Sequence, residues 1–340
     1  MMLRKTLGLD LGTDTTQIYL GGSGIVINEP TIVAVNTLTN GVVAVGEEAK
    51  KMLARTPAHI TAIRPVLGGV IADFDLAKEL IQTLVDRKDL PWSWFTRAIV
   101  SVPTSLTEVE RKSVEDLLKE IGLNPVYVLE QPLAAAFGGR LAVGQPTAHF
   151  IVDVGAGTTD MAIISLDGIV VSKRLKIAGN YLNQEIIKGV RDEFKLIIGE
   201  PTAEEIKIQV GSVLPWSEKL EIVVRGRDLQ SGLPRELTLK DTQVRFWLQR
   251  PAKTIVDAAK DLLESAPPEL VGDIYKNGIW LCGGGSLIRG LDQLFEKEIG
   301  VAVQTVEDPM TCVARGAGIF CDRFDELSHL LHNQPRSPIS

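Results

Sequence analysis

Two short stretches of this chain carry the residue types that handle phosphate and magnesium. "LGLDLGTDTTQIYL" runs from Leu7 to Leu20, and "FIVDVGAGTTDMAIISL" runs from Phe150 to Leu166. Asp10 aligns with Asp153, Gly12 with Gly155, and the pair Thr15 and Thr16 with Thr158 and Thr159. A glycine-rich turn bares backbone N–H groups, and these can hold phosphate oxygens together with threonine hydroxyls. A carboxylate in such a turn is repelled by phosphate. Asp10 and Asp153 are therefore expected to act through a hydrated Mg²⁺ ion. One turn of this kind reads equally well as a capped hairpin. Two copies point to two similarly built halves that grip one polyphosphate from both sides.

Three further places could do chemistry. Glu130 and Gln131 end an apolar run just before a helix-like segment. A carboxylate or amide there could orient water for attack on a γ-phosphate, or simply cap the helix. Gly283, Gly284, Gly285 and Ser286 follow another apolar run. They could lie against a purine and sugar, bind phosphate at a helix start, or allow close strand–helix packing. Glu204 and Lys207 lie three apart on an amphipathic segment. They could line a nucleoside pocket or form a solvated charge pair.

These side chains need rigid elements to place them. The apolar runs flanking each threonine cluster predict strand–turn–strand units. Gly24–Asn36 and Val42–Gly46 predict further strand, broken at Pro30; Ala77–Lys88 has helical spacing. "TEVERKSVEDLLKEIG" predicts a helix with Thr107 and Glu110 as a capping box and Gly122 as its stop. After Glu130 a helix is expected with Pro132 at its first position. The second half repeats this grammar, with helices near 180–197, 202–211 and 241–264 and a strand-rich insert near 218–240. Mixed strands and helices in two similar halves predict two α/β domains with a cleft between them.

Composition sets limits. The chain has 340 residues, 45% of them hydrophobic and 23% charged, with a net charge of -7. That fits a soluble globular protein, and without a basic stripe nucleic acid is not the expected partner. Cys282, Cys312 and Cys321 are few, odd in number and free of any CxxC pair. Neither a disulfide framework nor a zinc site is favoured, and a reducing cytoplasm is the expected setting. No signal peptide and no apolar run of about 18 residues is expected.

With these pieces in order, the chain resembles the MreB family of bacterial actins, within the actin-like ATPase superfamily. The resemblance covers residues 4–325. It rests on "DLGT", "GIVINEPTIVAV", "IRPVLGGVIADF", "SVPTSLTEVERKSV", "EQPLAAAFG", "VDVGAGTTD", "IAGN", "TAEEIKIQVG", "LCGGGSLIRGLD" and "ARGAG". It implies an actin-like α/β fold of two domains and four subdomains around a nucleotide cleft. Domain I would span 1–146, its small subdomain 31–74. Domain II would span 147–325, its small subdomain 181–240, and 326–340 would be a loose tail. The implied ligand is ATP or ADP with Mg²⁺. Asp10, Gly12, Thr13, Asp14 and Thr15 would form the first phosphate loop; Asp153, Gly155, Ala156, Gly157 and Thr158 would form the second. Glu204, Lys207 and Gly283 to Ser286 would flank the nucleoside. The residue before Pro132 would position the attacking water. The family forms filaments, often paired and antiparallel, on the inner face of the membrane, where they organise cell-wall synthesis and hold rod shape.

Several positions depart from the family pattern. Gln131 stands where a glutamate is usual, with Glu130 one place earlier. A neutral amide can orient water but cannot accept its proton, so slow hydrolysis is expected. Asp14 replaces a small apolar residue, Ala156 a glycine, and Leu67 with Gly68 an Arg-Asp pair. "DLPWSWFTR" groups Trp92, Trp94 and Phe95, which reads as a loop that dips into the membrane interface, or as rings folded onto the core. A sugar kinase would need a carboxylate base beside an acceptor pocket, and a chaperone-type ATPase a further domain. A scaffold that binds nucleotide without hydrolysing it is the main alternative.

Overall fold

The computed structural model describes residues 5–53, 57–88 and 96–331. The chain groups into two units. The first takes in the chain up to Thr147, Ile164–Ser172 and the chain from Met310; the second takes in Ala148–Ile163 and Lys173–Pro309.

In the first unit, short runs rich in β-branched residues make the strands. β1 (Thr6–Leu11), β2 (Thr15–Leu20) and β3 (Gly24–Pro30) form an antiparallel meander, with Leu9 opposite Ile18 and Ile18 opposite Ile27. β4 (Val33–Asn36), β5 (Gly41–Val45) and β6 (Ile60–Ile63) form a small antiparallel sheet. Helix α1 (Glu47–Met52) adds Ala49 to its core of Ile32, Ala34 and Ala44. β7 (Val66–Leu67) and β8 (Val70–Ile71) pair across Gly68 and Gly69, both at positive φ. α2 (Phe74–Asp86) follows, capped by Asp73. Then come β9 (Arg97–Val102), α3 (Glu108–Glu120), β10 (Val126–Glu130) and α4 (Gln131–Gly138). The capping box of Thr107 and Glu110 is formed, and Gly122 sits at φ 92° just beyond α3. β9 and β10 add in parallel to β1, giving the order β10-β9-β1-β2-β3. Leu7, Leu9, Val100 and Val128 of this sheet pack with Leu80 and Leu84 of α2 and Leu117 of α3.

The second five-stranded sheet starts with β11 (His149–Val154), β12 (Thr159–Ser165) and β13 (Gly168–Leu175). α5 (Gly179–Phe194), β14 (Leu196–Ile197) and α6 (Glu200–Val210) follow. The insert is a hairpin of β15 (Glu221–Asp228) and β16 (Pro234–Lys240), joined to β14. Next are α7 (Asp241–Glu264), α8 (Pro268–Asn277), β17 (Ile279–Cys282), α9 (Leu291–Ile299) and β18 (Val303–Thr305). β17 and β18 add in parallel to β11, giving the order β18-β17-β11-β12-β13. This is the order of the first sheet, strand for strand: a hairpin-linked leading strand with two later strands laid parallel on its other side.

The last segment belongs to the first unit. α10 (Cys312–Asp322) lies on β1 and α4. A Cβ on Gly8 would come within 3.0 Å of Ala317. At the crossing of α4 and α10, a Cβ on Gly138 would collide with the Cys312 carbonyl, and one on Gly316 with the Ala134 carbonyl. α11 (Phe324–Leu327) follows, and its Phe324 ring carries the Arg97 guanidinium 3.3 Å from its centroid. The expected second domain ran on through this segment to 325, but α10 buries its small-residue face on the first unit instead. The expected tail began at 326, yet Leu327 and Leu331 are buried and residues 328–330 form a 3₁₀ turn.

Candidate functional site

The strand registers carry the sequence-predicted residues to the carboxyl ends of their sheets. In the first unit Asp10 is level with Ser101 of β9, which is level with Leu129 of β10. Glu130 and Gln131 therefore emerge one step beyond Asp10 at the same edge. In the second unit Asp153 is level with Cys282, so Gly283 emerges beside it. Carboxyl edges of parallel strands are where α/β proteins bind ligands.

The two turns share one geometry. Gly12 N–H donates to the Thr15 carbonyl at 3.0 Å, and Gly155 N–H donates to the Thr158 carbonyl at 3.0 Å. A Cβ on Gly12 would sit 2.7 Å from the Thr15 carbonyl oxygen, and one on Gly155 would sit 3.1 Å from that of Thr158. The first turn thus needs a bare backbone at this position, and the second leaves a side chain there only a tight fit. The second threonine of each pair faces inward. The Thr16 hydroxyl bonds that of Thr31 at 2.9 Å, and the Thr159 hydroxyl donates to the Ile177 carbonyl at 2.7 Å.

Asp10 carries a clear electrostatic signature. Burial alone pushes its carboxyl up to about 7. A desolvated carboxyl with no compensating bond is a place where a cation is favoured. Asp153 is buried at the matching position. Among the described residues no three His, Cys, Asp or Glu side chains gather as a metal-binding group. Asp160 is also pushed up by burial, against the Thr158 hydroxyl and Arg174, which lower it. Its Oδ1 lies 3.8 Å from Arg174 Nε. In this structure the Thr158 hydroxyl is thus directed at Asp160.

Around the second turn, elements distant in sequence are tied together. Gly179 and Asn180 at the start of α5 donate to the carbonyls of Gly155 and Ala156 at 3.0 and 2.8 Å. Lys207 Nζ donates to the Gly179 carbonyl at 3.1 Å and pairs with Glu204 at 2.8 Å. Asn183 Nδ2 donates to the same Glu204 carboxylate at 2.6 Å. The Lys207 side chain is only 9% exposed, whereas that of Glu204 is 44% exposed, so the pair is buried at its lysine end and open to solvent at its carboxylate end. Gly283 and Gly285 lie against Asp153 and Val154, where any Cβ would collide, and Ser286 Oγ donates to the Gly283 carbonyl at 2.7 Å. Gly283 and Gly285 thus leave no room for a side chain, and Gly284–Leu287 is a 3₁₀ turn rather than the start of a long helix. Glu130 makes no capping hydrogen bond to α4, and both Glu130 and Gln131 stay half-buried. The capping alternative for this pair is not realised.

In the first turn, Thr13 Oγ1 accepts from Gly69 N–H at 3.3 Å, and Asp14 pairs with Arg64 at 3.5 Å. Sequence reading missed Arg64, Asp160, Gly179 and Asn183. "IAGN" marked one of them, Gly179, without a role, and Asp160 directly follows the Thr158–Thr159 pair. Trp92, Trp94 and Phe95 lie outside the described residues. No helix among the described residues is long and apolar enough to cross a membrane.

A profile of the MreB/Mbl protein family matches residues 4–329. The chain is 42% identical over 327 residues to the cell shape-determining protein Mbl of Bacillus subtilis, covering 96% of this chain and 98% of Mbl. It is 43% identical over 332 residues to the cell shape-determining protein MreB of Escherichia coli, covering 95% of each. Among solved structures, MreB5 of Spiroplasma citri superimposes with a TM-score of 0.92 bound to ADP and 0.93 bound to AMPPNP, at 36% identity. Those matches cover 96% and 97% of this chain, and 98% and 99% of MreB5. The MamK double helical filament matches at a TM-score of 0.79 and 23% identity over 94% of this chain and 99% of that one, a likeness of fold. The fold is the actin-like one.

Proposed function

The chain belongs to the MreB/Mbl family, and from that premise we propose that it is an ATP-binding, slowly ATP-hydrolysing filament protein that determines cell shape. The observation that carries this reading is the duplicated turn, with one aspartate, one glycine-closed bend and one inward threonine in each copy. Asp10 and Asp153 hold Mg²⁺ through water, and the ion, when bound, offsets charge on the β- and γ-phosphates. Backbone N–H groups of the two turns beyond Gly12 and Gly155, with the hydroxyls of Thr13 and Thr15, hold phosphate oxygens. Lys207 and Glu204 meet the nucleoside, already fixed by Gly179 and Asn183. Gln131 orients the attacking water without taking its proton, which keeps turnover low. The nucleotide-bound MreB5 structures support the ligand; the MamK filament, on the same fold, supports self-assembly.

The filaments lie on the inner face of the cytoplasmic membrane and organise cell-wall synthesis, in keeping with relatives that determine cell shape. The loop with Trp92, Trp94 and Phe95 supplies a weak anchor that many copies along one filament multiply. Pelleting on lipid vesicles with ATP and Mg²⁺ tests this. The wild type should pellet with vesicles as filaments. Trp92→Ser/Trp94→Ser should form filaments only in solution. A wild type that stays monomeric with and without ATP over a wide concentration range would sink the proposal. A second reading, a scaffold that binds nucleotide without hydrolysing it, is favoured by Gln131. Absence of phosphate release from assembled filaments would select it.

A further inference from the structure

One buried oxygen beside the first turn meets no donor. Gln17 of β2 lies directly opposite Asp10 of β1, and opposite Asn28 of β3 on its other side. Residues paired in this way point to one face of a sheet, with Cβ atoms about 5 Å apart. Asp10, Gln17 and Asn28 therefore form a row across the sheet. The face is the one that α10 covers, because Gly8 and Tyr19, the next pair along it, meet Ala317 and Gly318. Gln17 is 3% exposed. Its Nε2 donates to Asn28 Oδ1 at 3.1 Å and to the Met310 carbonyl at 3.3 Å. An amide nitrogen has two hydrogens, so both are used. Turning the amide over would set its oxygen against the Met310 carbonyl. Oε1 is thereby fixed as an acceptor, and it is buried without a hydrogen-bond partner among the described residues.

Its cross-strand neighbour is in the same condition. Asp10 feels burial with no hydrogen bond to offset it. The second turn repeats the feature, because Gln17 aligns with Asp160, whose Oδ1 is also buried without a hydrogen bond. A buried acceptor left unmatched is costly, so such a group marks a place where a donor is to be received. Two acceptors side by side call for a species that donates to both. A water bound to Mg²⁺ has two hydrogens, and Mg²⁺ keeps several such waters when it binds. We propose that Gln17 Oε1 and the Asp10 carboxylate share one water of the Mg²⁺ hydration shell, which makes Gln17 a positioning residue that sets how tightly the ion is held. The proposal rests on the nucleotide and Mg²⁺ reading above. It gives the neutral side chain a definite part: the carboxylate supplies charge, and the amide oxygen, locked by its own two donated bonds, supplies direction.

The test measures dissociation constants of ATP with Mg²⁺, and with EDTA in its place, for the full chain, Gln17→Met and Gln17→Glu. Methionine is close to glutamine in length and has only a weak acceptor. Gln17→Met should weaken ATP about tenfold with Mg²⁺ and less than about twofold with EDTA, the scale for losing an outer contact to a bound metal. A glutamine that served only to hold Asn28 and Met310 would move both constants alike. Gln17→Glu loses those two bonds as well but keeps an oxygen acceptor and adds charge. It should bind ATP with Mg²⁺ more tightly than Gln17→Met does, and ATP with EDTA more weakly than the wild type does. Should either variant melt below the working temperature, Gln17→Asn replaces it. Its oxygen is drawn back by one methylene, so it too should lose more with Mg²⁺ than with EDTA. Equal losses with and without Mg²⁺, or a Gln17→Glu variant no better than Gln17→Met in Mg²⁺, would overturn the proposal and leave nucleotide binding standing. Failure of the wild type to bind ATP under either condition would overturn both.

Discussion

A carboxyl group with a pKa near 7 is half ionised at neutral pH, and Asp10 is in that position. In the unfolded chain the same group ionises near 3.8. Between these values the folded protein keeps a proton that the unfolded chain has lost. Stability therefore falls as pH rises from about 4 to 7, then levels off. Asp10→Asn removes this dependence. Without nucleotide, the variant should gain on the wild type by roughly 2–4 kcal/mol between pH 4 and pH 8. Urea unfolding at the two pH values reads it, and an equal difference at both would refute the assignment. The same proton must leave before Mg²⁺ is held, so ATP affinity should drop as pH falls below 7. Gln131 carries a second expectation: Gln131→Glu restores a proton acceptor beside the nucleotide and should speed phosphate release about tenfold or more. An unchanged rate would remove Gln131 from the chemistry. Asp10 and Asp153 were legible in the sequence because each is an acid set between apolar neighbours, twice in the same frame. The inward turn of Thr16 and Thr159 was not, since a threonine pair gives no sign of which hydroxyl faces the core. Nor was Arg64, whose partner Asp14 lies fifty residues away.

The same limit recurs at the level of elements. Local signals were readable. Thr107 and Glu110 sit three apart, and their capping box needs nothing beyond the first turn of α3. The threonine turns needed only adjacent strands. What depends on distant packing was hidden. The glycines of 283–285 looked as ready for a ligand as for a tight fit, and the close approach of Asp153 and Val154 to Gly283 and Gly285 could not be read from the sequence. Glu204 and Lys207 could line a nucleoside pocket or form a solvated pair on sequence alone, and spacing gave no sign that Gly179 and Asn183 of α5 would bond to them. The α4–α10 crossing shows how closely such packing is set. Gly138 and Gly316 face opposing backbone carbonyls, which cannot swing aside as a side chain can. Gly138→Ala and Gly316→Ala should each destabilise the protein by about 1–3 kcal/mol or more, read as a lower urea midpoint. Gly22→Ala tests no packing, since no atom lies within 4 Å of its Cβ position, and only the backbone strain of φ 76° should appear. A Gly316→Ala effect no larger than that of Gly22→Ala would argue against the tight crossing.

Across the whole molecule, the duplication was the most legible feature, because both halves spell their leading hairpin in nearly the same letters. The equal strand orders β10-β9-β1-β2-β3 and β18-β17-β11-β12-β13 are its structural form. The destination of α10 was not legible. "ARGAGIF" has a small-residue face that would suit either unit, and nothing in its spacing says that β1 and α4 are the surface it covers. A chain stopped after Pro309 leaves that surface bare. It should lose protection of β1 in hydrogen exchange and aggregate at concentrations where the full chain stays in solution; a fully protected β1 would mean that the first unit stands without α10. That dependence has a temporal side. The ribosome makes β1 first and the helix that seals it about 300 residues later, roughly 15–60 s at ordinary rates of synthesis. For that interval the emerging chain holds an unfinished apolar face. The first half of the protein can therefore mature only after the second half has been translated, so its birth order and its folding order run in opposite directions.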